Sequence, residues 1–442
     1  MGMREGEGDG LIPLKSGDTV CILGGGPGGS ACALALMQEG RRQGIDLKVV
    51  LFEQKRFKEH TQYNQCIGVL SPPLETILRE MLGLSLPPGM AKKEMAGYCL
   101  HGDRLDLPLT GEETGHTWAV SRADFDEFLC DRAIEAGVEV INNRVTGIEI
   151  SAGDVLVYSE GRNCRAAAVV GAFGLDDGSA ALFEEATAYR RPDHLNTIIT
   201  RLYPGDDFLK QMGPVIHAFL LSFEGLEFGA VTPKQDHLSI NIAGRNVSSR
   251  VMLNFLRSAP VQRLLPPQNY REKPLHYFRG KFPICPARNL FGHRYVTIGD
   301  AAGLMRPFKG KGINSAILTG VYAARTMVRL GVSRKAFQSY IRDCSELTGD
   351  LWYGRALRFL TNLSTRFQFM DRLLKIGGED PVFMACLFNS VSGHLPYKTI
   401  VRQTATFPVA IKIVRELVNR FVLHTSLRPG PRSKKGEAGL TP

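Results

Sequence analysis

Short apolar runs, separated by glycine or polar residues, begin near the N-terminus and predict an alternation of strands and helices. Residues 19–23 and 47–52 form two such runs, and both have the length and continuity of buried strands. The segment between them predicts a helix that starts near Pro27, with small and apolar residues at helical spacing. A strand, a helix and a second strand in this order predict a βαβ unit and therefore an α/β fold.

The pattern changes in the middle of the chain. A predicted amphipathic helix follows Arg122, and strands are predicted after it at 138–141 and 145–150. Further on, apolar and polar positions alternate, which predicts antiparallel strands at 215–223, 226–232 and 238–243. The sequence therefore combines a Rossmann-like portion with an antiparallel sheet.

A glycine-rich turn joins the first strand to the first helix. Gly24, Gly26 and Gly29 have the spacing GxGxxG, in which the first glycine permits a tight turn and the second lets backbone approach a pyrophosphate. The third glycine lets the helix lie close to the sheet. The first N–H groups of the helix, near Pro27 and Gly28, would then face the phosphates of a dinucleotide.

Glu53 strengthens this interpretation because it ends the second predicted strand. A carboxylate at that position can accept hydrogen bonds from the hydroxyls of an adenosine ribose. It also disfavours a 2′-phosphate, since two anions would repel each other. The motif alone does not choose between NAD and FAD.

Composition limits the remaining possibilities. The chain has 442 residues, 44% hydrophobic and 22% charged, which predicts two joined globular domains plus an extension. Nothing at the N-terminus resembles a secretion signal, so we expect none, and no uncharged apolar stretch is long enough to span a membrane. Nine cysteines without CxxC spacing disfavour a disulfide framework or a metal site, so we expect no bound metal and a reducing, cytoplasmic compartment.

A second set of signals lies far from the first. A buried strand is predicted at 295–298, followed by Gly299, Asp300 and a glycine-containing loop before another helix. Together with the glycine turn, Glu53, the segment SRADFDEFL (121–129) and the segment PFKGKGINSAI (307–317), this stretch resembles the superfamily of FAD-dependent monooxygenases and oxidoreductases, which have the p-hydroxybenzoate hydroxylase-like fold. The resemblance implies FAD as the cofactor.

The resemblance also implies roles for individual residues. Asp300, after Gly299, takes the place of the aspartate that holds the ribityl chain, and Arg122 takes the place of the arginine that contacts the FAD linker. The loop and helix start that point at the flavin pyrimidine correspond to Gly310, Gly312, Ile313 and Asn314. Unpaired N–H groups there would stabilise the negative charge of reduced flavin.

Within this superfamily the geranylgeranyl reductase branch is the most similar. The segment VTPKQDHLSINIAG (231–244) resembles a segment of that branch, and CIGVL (66–70) sits where the branch carries a cysteine–glycine loop beside the flavin. Cys66 could therefore donate a proton to a carbon of the substrate. The alternative, a small buried apolar residue, stays open.

The domain plan of this family is discontinuous, and the sequence accommodates it. Residues 15–80, 115–180 and 285–345 would form the FAD-binding domain, and residues 81–114 and 181–284 the substrate domain. We expect a helical C-terminal region over 346–427 and a disordered tail over 428–442.

The C-terminal region concentrates positive charge. The chain has a net charge of +10, and residues 398–435 contain nine basic residues and one acidic residue. Segments 356–377 and 408–424 predict amphipathic helices with basic faces. They are either ordinary solvated helices or peripheral contacts with the inner face of a membrane. A nucleic-acid partner is not expected, because the charge is terminal and no recognition fold is evident.

These observations predict an FAD-dependent oxidoreductase that reduces carbon–carbon double bonds of an isoprenoid or other lipid-like substrate. Two alternatives stay open: a monooxygenase or hydroxylase acting on an apolar substrate, and a flavoprotein that passes electrons to a membrane quinone. Since the sequence has no second dinucleotide fingerprint, the electrons would come from transiently bound NAD(P)H or from a reduced electron-donor protein.

Overall fold

A computed structural model describes residues 10–55, 66–109, 116–266, 275–306, 312–393, 395–404 and 412. Within these ranges the strands are, in chain order, β1 (Thr19–Leu23), β2 (Lys48–Phe52), β3 (Val69–Leu70), β4 (Lys93–Met95), β5 (Gly97–His101), β6 (Asp106–Leu109), β7 (Thr117–Ala119), β8 (Glu139–Ile141), β9 (Val145–Ile150), β10 (Val155–Ser159), β11 (Cys164–Ala166), β12 (Ala168–Gly171), β13 (His194–Leu202), β14 (Val215–Phe219), β15 (Phe228–Pro233), β16 (Leu238–Gly244), β17 (Phe278–Pro283), β18 (Phe291–Gly292) and β19 (Tyr295–Thr297).

The helices of the same ranges are α1 (Pro27–Arg42), α2 (Leu74–Ile77, continued by a π-helical turn at Leu78–Leu82), α3 (Arg122–Glu135), α4 (Asp177–Ala186), α5 (Asp206–Met212), α6 (Ser249–Arg257), α7 (Ala259–Gln262), α8 (Gly299–Ala302), α9 (Gly312–Leu330), α10 (Arg334–Asp343), α11 (Ser345–Arg366), α12 (Met370–Glu379), α13 (Pro381–Ser392) and α14 (Tyr397–Thr404). Among them, none combines the length and the hydropathy that crossing a membrane requires.

The first structural layer is a parallel sheet with strand order β18-β19-β12-β1-β2-β8, in which only β18 is antiparallel. Its central strand β1 is buried on both faces, which explains its continuous apolar sequence. Helices α1, α3 and α9 pack on one face, and the small antiparallel sheet β9–β10–β11 packs on the other. The α/β fold predicted from the sequence is confirmed.

The second layer is a seven-stranded sheet with order β17-β13-β16-β15-β14-β5-β6. Its pairings are antiparallel except that β14 runs parallel to β5. Helices α6 and α7 cover one face through an apolar cluster that includes Phe219, Ile240 and Phe255. The opposite face is left to line a cavity, described below.

Another small sheet lies between the parallel and the antiparallel sheets. Strand β4 pairs with β7, and β7 pairs with β3, so a small sheet connects the segment at 93–95 with segments on either side of it. This sheet places the loop that begins at Cys66 between the parallel and the antiparallel sheets.

The structure corrects one expectation about the C-terminal region. Segment 356–377 is not one helix, because α11 ends at Arg366 and α12 begins at Met370. The chain reverses at Gln368, which has a left-handed φ of 53°, while the N–H of Phe369 donates to the carbonyl of Ser364 at 2.7 Å.

The break has a packing reason. It lets Met370 and Leu374 of α12 pack against β5 and β6 while Leu360 and Leu363 of α11 stay exposed. The predicted helix at 408–424 lies outside the described residues except for Lys412, which forms an ion pair with Asp380. The predicted tail at 428–442 also lies outside them.

Helix α11 is held against the antiparallel sheet by one charged contact. Arg358 donates from Nε and Nη2 to the two carboxylate oxygens of Glu227 at 2.8 and 2.6 Å, and Asn362 donates to the same carboxylate at 2.9 Å. Both charged side chains are more than four-fifths buried. A bidentate, largely buried ion pair of this kind is stronger than an exposed ion pair.

We therefore expect Glu227→Gln to lower the free energy of unfolding by about 1–3 kcal/mol, because it leaves the Arg358 guanidinium without its carboxylate. The matched control is Glu379→Gln, whose ion pair with Lys375 at 3.9 Å is exposed and should change stability by less than about 0.5 kcal/mol. Thermal unfolding of the two variants measures the difference, and equal shifts would contradict the assignment.

Candidate active site

The principal cavity lies between the carboxyl end of the parallel sheet and the open face of the antiparallel sheet. Its volume is about 1160 Å³. The carboxyl ends of parallel strands are where ligands bind in open α/β sheets. One end of the cavity is formed by the glycine turn, and the other by side chains of β5, β14 and β15.

The glycine turn is shaped by contacts that leave no room for side chains. Gly24 has a φ of 108°, and a Cβ there would lie 2.5 Å from the carbonyl oxygen of Ala172. A Cβ on Gly29 would lie 1.8 Å from the carbonyl oxygen of Gly24. Gly26, Pro27 and Gly28 border the cavity at the start of α1.

The first turn of α1 is open to the cavity. Its N-cap, Gly26, supplies no side-chain cap, and Pro27 occupies the first position of the helix. A Cβ on Gly26 would meet no atom of the described residues within 4 Å. The free N–H groups and the positive end of the helix dipole there suit a phosphate.

Glu53 lies where the sequence places it, at the end of β2 and on the cavity wall. Its Oε2 accepts the N–H of Gly25 at 2.7 Å, and its Oε1 accepts the N–H of Lys55 at 2.9 Å. These bonds fix the carboxylate against the glycine turn. Each oxygen keeps a second lone pair that could accept from a ribose hydroxyl.

Asp300 borders the same cavity, although it lies about 270 positions after the glycine turn in the sequence. It follows Gly299, which has a φ of 59° and whose N–H donates to the Thr319 hydroxyl at 2.9 Å. Burial raises the pKa of Asp300 to about 6, against the opposing effect of the Arg122 guanidinium. Hydrogen bonds from hydroxyl groups of a ligand would stabilise the ionised form of this buried carboxylate.

Two other elements complete the polar end. Arg122 starts α3 and donates from Nε to Asp126 at 2.6 Å, and both side chains border the cavity. Burial raises the pKa of Asp126, and Arg122 opposes this shift. At the start of α9, Gly312, Ile313 and Asn314 also line the cavity. Gly310 lies outside the described residues.

These groups suit FAD. The open helix start accommodates a pyrophosphate, the two acids at separate strand ends accommodate sugar and ribityl hydroxyls, and the start of α9 presents N–H groups. Asn314 is positioned by its side-chain N–H donating to the carbonyl of Ser71 at 3.1 Å. The structure therefore brings together, in one cavity, most of the residues that the sequence analysis selected.

Cys66 borders the cavity on the loop that leads into β3, and its side chain is exposed. Sequence reasoning missed the residue that supports this loop. Lys234, at the end of the hairpin strand β15, donates from Nζ to the carbonyls of Gly68 at 2.7 Å and Val120 at 3.3 Å. The PKQDHLS segment that contains Lys234 was part of the family resemblance. The spacing of residues along the chain, however, does not predict a hydrogen bond from Lys234 to Gly68.

Lys234 is 7% exposed. Burial lowers its pKa to about 8, although the nearby Cys66 acts in the opposite direction. A lysine in this environment can lose or regain a proton near neutral pH.

The far end of the cavity is apolar. Tyr98, Leu100, Ile216, Ala218 and Phe228 project from neighbouring strands onto one sheet face, since alternate strand residues share a face. Polar groups interrupt this wall. Thr197 and Thr232 line the cavity on the same sheet, and Asn241 of β16, 6% exposed, has a buried Oδ1 with no partner among the described residues. The wall suits a ligand that is largely apolar and makes a few polar contacts.

Comparison with known proteins gives relatives across most of the chain. No protein-family profile matches it. Digeranylgeranylglycerophospholipid reductase 1 of Methanopyrus kandleri is 25% identical over 338 residues, which cover 70% of this chain and 80% of that protein. The digeranylgeranylglycerophospholipid reductase of Methanococcus vannielii is 22% identical over 411 residues, covering 91% of this chain and 96% of that protein.

Solved structures show the same fold. A geranylgeranyl bacteriochlorophyll reductase-like protein from Thermoplasma acidophilum superposes with a TM-score of 0.69 and 18% identity, covering 91% of this chain and 99% of that chain. A flavin-dependent brominase superposes with a TM-score of 0.62 and 16% identity, covering 92% and 99%. At these identities the likeness establishes the fold alone.

The open space at Gly26 allows a direct test of whether the glycine turn binds the pyrophosphate of FAD. Gly26→Ala should leave the thermal stability of the cofactor-free protein unchanged, because the added methyl group meets no atom in the described part of the chain. It should nevertheless weaken FAD binding at least about tenfold by filling space near the pyrophosphate. Titration of FAD into the cofactor-free protein, followed by flavin fluorescence, measures the affinity.

Gly349→Ala is the matched control, since a Cβ there also meets no atom of the residues that the structure describes within 4 Å, but lies on α11. Unchanged FAD affinity in Gly26→Ala would show that the pyrophosphate does not approach this turn.

Proposed function

We propose that this chain, an FAD-dependent oxidoreductase related to the geranylgeranyl reductases, reduces carbon–carbon double bonds of an isoprenoid or other lipid-like substrate. The observation that carries the proposal is a single cavity with two unlike ends: a glycine and carboxylate cradle suited to FAD, and an apolar sheet wall. Relatives named as reductases of digeranylgeranyl glycerophospholipids support the substrate class.

In this proposal the FAD contacts come from three separated segments. Gly24, Gly26, Pro27, Gly28 and Gly29 form the pyrophosphate turn, and Glu53 accepts from the adenosine ribose. The residues that would hold the ribityl and flavin portion are Arg122, Gly299, Asp300, Gly312, Ile313 and Asn314. Gly310, outside the described residues, is added to them from the sequence resemblance alone. Bound FAD, once reduced, would supply a hydride to the substrate.

The apolar wall would orient the isoprenoid chain and exclude water. Burying such a chain against Leu100, Ile216 and Phe228 is favourable by about 25 cal/mol per Å² of apolar surface removed from water. Because the wall is part of a sheet whose other face is packed, it is rigid and can hold a double bond in one position.

Cys66 and Lys234 would deliver the proton. When a hydride adds to one carbon of the double bond, the neighbouring carbon needs a proton to complete the reduction. The S–H bond of Cys66 breaks as the new C–H bond forms, and the resulting thiolate regains a proton from the Lys234 ammonium or from water. The bonds from Lys234 to Gly68 and Val120 keep the ammonium beside this loop.

Two sources of electrons fit the proposal: NAD(P)H bound transiently, or a reduced electron-donor protein. Chemical reduction of the flavin separates the reductive step from this question. The substrate reaction can therefore be tested without identifying the donor.

We expect the full-length, FAD-loaded protein, reduced with dithionite under strict anaerobiosis, to saturate double bonds of an unsaturated digeranylgeranyl glycerophospholipid. Mass spectrometry of the lipid would show the gain of two hydrogens for each bond reduced. Cys66→Ala should slow the reaction at least about tenfold while FAD stays bound. Cys285→Ala is the control, because Cys285 is also incompletely buried but does not border the cavity.

Two outcomes would oppose the proposal. Turnover that requires oxygen and yields a hydroxylated product would identify a monooxygenase instead. Equal rates for Cys66→Ala and the parent protein would remove the thiol from the reaction.

We further propose that α11 rests on a membrane surface. Trp352, Phe359, Leu360 and Leu363 are 70%, 65%, 54% and 40% exposed, respectively. Their spacing places them on one side of the helix, about 100° of arc at 3.6 residues per turn. Exposed Arg355 and Arg366 lie along one edge of this stripe, where they could contact anionic lipid headgroups.

The position of α11 relates this surface to the site. Arg358, Thr361 and Asn362 of the same helix border the cavity, so a membrane beneath the apolar stripe would lie close to the cavity. A lipid substrate could then reach the apolar wall without crossing water. The basic residues at 398–435 would add attraction to anionic headgroups.

Leu360→Glu should reduce co-flotation with liposomes containing anionic phosphatidylglycerol at least about fivefold, because it places a carboxylate within the apolar stripe. Ile134→Glu is the control, since Ile134 is 48% exposed but lies on α3. Parent protein that stays with the soluble fraction, or equal loss in both variants, would contradict a membrane contact through α11.

A further inference from the structure

A cluster of metal-ligand side chains lies on the face of the antiparallel sheet opposite the cavity. Strand β5 carries Cys99 and His101 two positions apart, so both point to the same face. The neighbouring strand β14 places His217 opposite Cys99 in register. All three side chains are buried, with exposures of 8%, 5% and 8% for Cys99, His101 and His217.

Their donor atoms are close together. The Cys99 sulfur and one ring nitrogen from each histidine lie within 4.8 Å of one another. Nε2 of His101 is 2.9 Å from Nδ1 of His217. On its other side, Nδ1 of His101 is 2.9 Å from the carboxylate of Asp106, which also accepts from Arg263 at 3.1 Å.

The protons of this cluster do not satisfy its lone pairs. A neutral histidine has a proton on one ring nitrogen and a lone pair on the other. If Nδ1 of His101 donates to Asp106 and Nδ1 of His217 donates to His101, the remaining lone pair is on Nε2 of His217. That nitrogen is buried and has no hydrogen-bond partner among the described residues. A cation would satisfy such an excess of lone pairs.

We propose that Cys99, His101 and His217 bind a zinc ion, with Asp106 orienting His101 from outside the ligand set. A thiolate and two imidazoles are ligands that zinc prefers, and a carboxylate on the far nitrogen of a ligating histidine is a recurrent support. Three protein ligands leave one position of a tetrahedral ion for a water molecule. Binding releases the thiol proton of Cys99 to solvent.

The role of the ion would be structural. Tyr98, Leu100, Ile216 and Ala218 of the same two strands point to the cavity, so the ion would sit on the other side of the sheet from the substrate. The β14–β5 pairing is the parallel one in this sheet, and it joins the 97–109 hairpin to the remaining strands. Zinc would link the two strands across this pairing.

The test uses the full-length protein, stripped with a chelator and then dialysed against zinc. We expect about one zinc ion per chain by elemental mass spectrometry after gel filtration. Replacement by Co²⁺ should give a thiolate-to-cobalt charge-transfer band and the visible absorption of tetrahedral cobalt. Cys99→Ala and His217→Ala should each lower zinc affinity at least about tenfold and abolish or weaken that band.

Cys386→Ala is the control, because Cys386 is also buried but lies on α13, away from the cluster. Zinc binding by parent protein at far below one ion per chain, or unchanged binding in Cys99→Ala, would overturn the proposal and leave a hydrogen-bonded histidine pair. The parent measurement decides the question even if a variant fails to fold. It is independent of lipid reduction, since zinc content is measured without substrate.

Discussion

The close approach of two backbones at the start of α1 is the constraint on which the candidate site depends. A Cβ on Gly320 of α9 would lie 2.5 Å from the carbonyl oxygen of Gly28, and one on Gly29 would lie 1.8 Å from that of Gly24. Because side chains are absent at these points, α9 packs directly on α1. That contact brings Gly299, Asp300 and the start of α9 beside the N-terminal turn, so two regions far apart in sequence border one cavity.

The polar end of the cavity has its own electrostatic requirement. Asp300, Arg122 and Asp126 are held together where water is scarce, and burial alone would favour neutral carboxyl groups. Arg122 offsets part of that cost by its bond to Asp126. A ligand rich in hydroxyl groups would supply further donors, which is why this arrangement suits a sugar and ribityl chain better than an apolar ligand.

Sequence patterns predicted the features that depend on residues close together in the chain. The strand ending at Leu23, the helix starting at Pro27 and the acids Glu53 and Asp300 at strand ends all lie where periodicity and motif spacing place them. Lys234 escaped prediction because its partners, Gly68 and Val120, are separated from it by more than 100 positions.

The His101–His217 pairing and the helix break at Gln368 could not be predicted from the sequence either. The pairing of His101 with His217 depends on a parallel strand alignment across 116 positions, which cysteine and histidine spacing cannot reveal. The break at Gln368 occurs in a segment with continuous helical periodicity. There, packing of Met370 and Leu374 on β5 and β6 determines where the helix ends.

A shared fold does not select a reaction. A reductase-like protein and a brominase share this fold with TM-scores of 0.69 and 0.62, so the parallel sheet and the glycine turn cannot by themselves determine the chemistry. The side chains that line the cavity of this chain must do so, and among them are the loop at Cys66 and the sheet face that carries Leu100, Ile216 and Asn241. Under the proposed function, the Cys66 thiol, on a loop held by the buried Lys234, would deliver a proton to a carbon beside the largely apolar wall. These side chains, and not the shared fold, would then determine that an apolar chain is reduced.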